Sequence, residues 1–110
     1  MVHKMRLVDF AFKAIKEGTK NIEVRLNDEK RQLIKIGDTI EFTNLDTNEV
    51  LKVKVVNLHK YGTFKELFDS CPHARLGLKD TDNASIMNAF YTLDEQNKYG
   101  ALGIEITKIV

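Results

Sequence analysis

The chain has 110 residues, 43% of them hydrophobic and 30% charged, with a formal net charge of +1. That balance excludes a disordered chain and fits one globular domain, 1–110. A near-neutral sum excludes a non-specific polyanion binder but leaves room for a local basic patch, and the one cysteine, Cys71, excludes an internal disulfide and a cysteine metal site.

Met1 to Phe12 alternates charged and apolar residues without a hydrophobic signal core, and no run approaches the ~18 apolar residues of a membrane span. A cytoplasmic protein with no membrane partner is expected. Asp9 is placed to cap a helix through Phe10, Ala11, Ala14 and Ile15 to Lys16, with Gly18 as its stop. Asn21 to Leu26 alternates strictly, so Ile22, Val24 and Leu26 take one face of a strand and Asn21, Glu23 and Arg25 the other. Asn27 to Lys35 reads as a polar loop or short helical turn. Gly37-Asp38 turns into a strand over Thr39 to Asn44, and Asp46 to Asn48 turns again into a long strand from Val50 to His59.

Thr63-Phe-Lys-Glu66 has the form of a capping box and opens a short helix with Phe64, Leu67 and Phe68 inward. Ser70 to Asn83, with the only proline, Pro72, is irregular. A helix is expected over Ala84 to Phe90, and a second capping box, Thr92-Leu-Asp-Glu95, opens a turn ended by Tyr99-Gly100. Ala101 to Ile109 reads as a closing strand. Strands with helices between them and hairpin spacing in the middle predict an α+β fold. A small mixed or antiparallel, partly closed barrel of about five or six strands with flanking short helices would also blunt strand edges. The six phenylalanines, Phe10 and Phe90 among them, are read as core.

Gly18 to Arg25 has the form G-x-K-x-x-E-x-R. Lys20 stands at the start of the strand, and Glu23 and Arg25 project from one face. Such a pair either forms a solvated surface ion pair or acts on a shared ligand, with Arg25 as a fork for phosphate or carboxylate and Glu23 as an acceptor from N–H groups. As a surface substitution, charge reversal at Arg25 is expected to abolish binding at a stability change within about 1 kcal/mol.

This segment resembles the signature of the ASCH domain, a family of the PUA-like superfamily. Gly37-Asp38-Thr-Ile-Glu-Phe42, Thr63-Phe-Lys-Glu-Leu67, and Tyr91 with Tyr99-Gly100-Ala-Leu-Gly-Ile104 are similar to the family's later elements, in order along nearly the whole chain. The resemblance implies a small barrel with a cleft lined by Lys20, Glu23 and Arg25, and an RNA or nucleoside ligand. Some bacterial relatives are amidohydrolases that deacylate acylated cytidine, and others are reported to cut RNA. In the amidohydrolases a threonine lies three positions after the lysine and a glutamate lies beyond the central strand. Here position 23 is Glu23, and no glutamate occurs between Glu66 and Glu95. The leading expectation is therefore RNA or nucleoside binding. The alternative is a hydrolase of a modified nucleoside or of RNA through Lys20 and Glu23, and a third reading is a protein-interaction module with an exposed apolar patch.

Tyr61 and Tyr91 are candidates to stack on bases, and Arg31, beside Lys30, is a candidate to reach phosphate. His3, His59 and His73 lack metal-ligand spacing, and no phosphate-binding or dinucleotide glycine loop is present, so no metal or cofactor is expected.

Overall fold

The computed structural model describes residues 1–109; Val110, the last residue of the expected domain, lies outside them. The strands are β1 (Val2–Leu7), β2 (Ile22–Leu26), β3 (Thr39–Asn44), β4 (Val50–Tyr61) and β5 (Ala101–Lys108), and the α-helices are α1 (Asp9–Glu17), α2 (Phe64–Ser70) and α3 (Leu93–Tyr99). Short 3₁₀ turns cover Arg31–Leu33, His73–Leu76 and Ala84–Ala89. The strands form one sheet in the order β1-β3-β4-β5-β2. Only β1 and β3 run parallel; the other neighbours are antiparallel. The sheet curls into a half-barrel, so that its two end strands, β1 and β2, face one another across an open seam.

The alternation of β2 separates two interiors. In register with β5, Glu23 and Arg25 stand opposite Ile104 and Leu102, whereas Ile22 and Leu26 stand opposite Glu105 and Ala101. Leu102 and Ile104 belong to the first core, with Met5, Ile40, Phe42, Val53 and the α1 residues Phe12 and Ile15. Ile22 and Leu26 belong to the second, with Phe64, Leu67 and Phe68 of α2 and with Leu76 and Met87. β5 carries core side chains on both faces, which explains its continuous apolar run Ala101 to Ile104. Asp38, in the turn before β3, accepts from His3 Nε2 at 2.8 Å and from the Lys35 amide at 3.0 Å, and these bonds hold its carboxyl at about 2.

Several local expectations are corrected. The alternating segment Met1 to Phe12 contains a strand, β1, whose period of two buries Met5 and Leu7 and turns Lys4 and Arg6 outward. Asp9 does not cap α1. Val8 is the N-cap, and the Asp46 carboxylate, from the β3–β4 turn, accepts from the Asp9 amide at 3.2 Å. The Asp9 side chain instead accepts from Asn44 Nδ2 at 2.9 Å and pairs with Lys13. β4 runs on to Tyr61 with a bulge at Val56, which lets its first half pair with β3 and its second half follow β5 alone. The segment 84–89 is a 3₁₀ turn rather than an α-helix, closed by the Phe90 amide donating to Met87. Of the two expected capping boxes, the first is half formed, with Thr63 accepting from the Glu66 amide, and the second is complete, with Thr92 and Glu95 bonded reciprocally. At Gly100, with φ +74°, an added Cβ would lie 2.6 Å from the Tyr61 carbonyl oxygen, so only glycine fits where α3 turns into β5.

Candidate nucleic-acid interface

The three ionic residues of the Gly18–Arg25 segment converge. Glu23 is only 4% exposed. Its Oε1 lies 2.9 Å from Lys20 Nζ, and its Oε2 lies 2.8 Å from both Nε and Nη2 of Arg25. Burial pushes the Glu23 carboxyl up, but the charges and hydrogen bonds of Lys20 and Arg25 outweigh it and hold the group below the usual carboxylate range. Arg25 Nη2 also donates to the Arg6 carbonyl of β1 at 2.9 Å. One guanidinium thus ties together the two strands that the sheet leaves unpaired.

This arrangement differs from a solvated strand face. The curl of the sheet turns the charged side of β2 inward, at the seam, where the Arg25 side chain bonds to the β1 backbone. Arg25 is therefore not a surface residue: its side chain is 15% exposed. Charge reversal there would set a second carboxylate against Glu23, so the expected stability change within about 1 kcal/mol does not hold.

A cavity of about 500 Å³ opens above this cluster. Residues from both sheet ends line it: Arg6 and Leu7 from β1, and Glu23, Val24 and Arg25 from β2, with Lys20 just ahead. Gly77 and Met87 close it from the irregular segment, and Tyr91 forms part of the wall. The Tyr91 ring is braced from behind by Phe64, parallel to within 6° at 5.9 Å. Gly77, with φ +74°, holds the Lys20 stem. A Cβ there would lie 2.7 Å from Lys20 Cδ, so the absence of a side chain is what lets the lysine run past this turn to Glu23.

Among the expected site residues, Lys20, Glu23, Arg25 and Tyr91 share this cavity, whereas Arg31 and Tyr61 do not line it. Arg31 is bound within its own loop, with Nη1 2.8 Å from Asp28. Tyr61, at the end of β4, packs against the second core. The expectation that all six phenylalanines are core fails at two of them. Phe10 is 77% and Phe90 71% exposed, and both line the cavity. Phe10 could have been noticed: it lies about 200° around the helix from Phe12, on the polar side of an amphipathic pattern. Arg6 and Gly77 gave no comparable signal, because their place depends on the curl of the sheet and on an irregular segment.

Cys71 is buried at the end of α2, and His73 is held by the Phe68 and Lys79 carbonyls at 3.1 Å each rather than by the thiol. Among the described residues, no group of three or more His, Cys, Asp or Glu is placed to hold a metal ion, and no helix is long and apolar enough to cross a membrane.

The family model described as the ASCH domain matches residues 5–110. The chain is similar to the crystal structure of the hypothetical protein PH0355, with 35% identity and a TM-score of 0.86, over 99% of this chain and 100% of that one. It is also similar to the solution structure of protein PF0455 from Pyrococcus furiosus, with 31% identity and a TM-score of 0.73, over 99% and 98% of the two chains. No curated protein matches the chain.

Proposed function

The chain belongs to the ASCH domain family, and from that premise we propose that it binds RNA or a nucleoside in the cavity at the seam of the half-barrel. The observation that carries this reading is a buried carboxylate held between two cations at a cavity whose other lining is apolar apart from Arg6 and Asp82. A pocket of this volume, with apolar walls and a few convergent polar groups, has the form of a small-ligand site. Nε and Nη2 of Arg25 are engaged by Glu23 and Arg6, which leaves Nη1 for a phosphate or a base carbonyl. Lys20, oriented by Glu23, adds a second donor, and Arg6 adds an exposed cation at the rim.

The ion pair favours binding over hydrolysis. Lys20 pairs with Glu23 only as an ammonium, and an ammonium anchors an anion but cannot attack a carbonyl. Hydrolysis through Lys20 and Glu23 would require that pair to open.

Titration of the protein with short single-stranded RNA and with cytidine tests the proposal. Lys20→Gln and Arg25→Lys are the informative variants, since the first leaves Glu23 with one cation and the second with two. Binding should weaken by about tenfold in Lys20→Gln, as for loss of one charged hydrogen bond. Arg25→Lys should weaken it similarly, because a lysine keeps the charge but loses the fork. Affinity for RNA should also fall with added salt. Equal binding by the parent and both variants, or no binding by the parent, would remove the proposal.

A further inference from the structure

The cavity rim carries a feature that folding does not require. Phe10, in the first turn of α1, and Phe90, just after the 3₁₀ turn 84–89, belong to different elements, yet both line the same cavity and expose their rings. The other four phenylalanines are buried. Val8, Leu45 and Ile86 add further exposed apolar surface to this rim. Exposed apolar area concentrated around one cavity marks a binding surface.

Resting on the reading above, we propose that Phe10 and Phe90 are the base-stacking residues of this site, and that its ligand is an unpaired nucleotide of single-stranded RNA. Complementarity selects this ligand. Three cations, Arg6, Lys20 and Arg25, outnumber the two carboxylates, Glu23 and Asp82, in the lining, and the rim offers flat apolar rings, so the fitting ligand is anionic at one end and planar and apolar at the other. An unpaired nucleotide has that form, whereas in a duplex the base faces are already stacked and out of reach. The volume, about 500 Å³, suits one such unit rather than a helix of RNA or of peptide. Aromatic stacking tolerates any base, so the rim would supply affinity while the floor positions the backbone.

The test compares single-stranded and duplex RNA of the same length for binding to the parent, Phe10→Ala, Phe90→Ala, and the Leu and Trp variants at both positions. Both side chains are exposed, so the variants should melt close to the parent. Each Ala variant is expected to bind single strands about tenfold or more weakly. The Leu variants should resemble Ala, the Trp variants should match or exceed the parent, and duplex should bind poorly throughout. If the Leu variants bind like the parent, the rim is a general apolar docking surface, and stacking is overturned. Equal binding of duplex and single strand overturns it too. If Lys20→Gln loses RNA while both Ala variants keep it, the stacking role falls and the seam-site reading stands. If the parent binds no RNA, both fall together.

Discussion

Glu23 is the residue on which the seam is organised. It is buried, and its two oxygens are shared between Lys20 and Arg25. Removing its charge strands two partly buried cations, so Glu23→Gln is expected to destabilise the fold by about 3–5 kcal/mol. The dependence on pH follows from its lowered pKa. Unfolded, the group titrates near about 4.3; folded, it titrates lower. Its contribution is therefore complete above the unfolded value and is lost as pH falls through the folded one. Urea melts should show a constant gap between parent and Glu23→Gln around neutral pH, and a shrinking gap below about pH 4. A gap independent of acidification would contradict the ion cluster. The G-x-K-x-x-E-x-R spacing singles out Lys20, Glu23 and Arg25 but leaves open a solvated ion pair, and a shared cleft is implied only by the family resemblance. Their burial is not legible there, because it depends on the curl of the sheet, which the local pattern does not encode. Phe10 carries its own signal in the helical pattern, whereas at Phe90 only the position of neighbouring elements reveals that the ring is not core.

At the scale of elements, the irregular segment between α2 and α3 matters more than its composition indicates. The 3₁₀ turn His73–Leu76 docks on the start of β2, with the Asn21 amide donating to the Arg75 carbonyl and Arg75 Nε donating to the Asn21 side chain, each at 3.0 Å. It ends at Gly77, against which the Lys20 stem lies. Gly77→Ala would strain a left-handed residue and push the lysine aside. It is expected to cost about 1–2 kcal/mol and to weaken RNA binding, whereas substitutions at exposed Ser85 should do neither. Thermal melts and binding titrations of the two variants check this. Most elements were readable: the alternation of β2, the capping threonines of α2 and α3, and the β-branched run of β4 each specify local structure by known chemistry. β1 was less legible because only Val2 of its six residues is β-branched and none is Phe, Tyr or Trp, so its period of two had little propensity behind it. The α1 N-terminus was misassigned because its cap comes from Asp46, distant in sequence.

At the scale of the whole molecule, the cavity lies where the half-barrel does not close. β1 and β2 end the sheet without pairing to one another, and Arg25 spans the gap to Arg6 while the cavity opens beside it. An α+β, partly closed barrel was legible from the order of strands and turns and from four motifs in sequence. Strand order was not, since nothing local predicts that β1 pairs with β3 in parallel or that β2 pairs with β5. RNA binding at the seam is checked most directly by following the backbone amide resonances of the protein while single-stranded RNA is added. Shifts are expected to concentrate at Lys20 to Arg25, Arg6, Gly77 and Phe90-Tyr91. Shifts concentrated instead on the outer face of β4, at Lys52 and Lys54, with the seam unmoved, would contradict it.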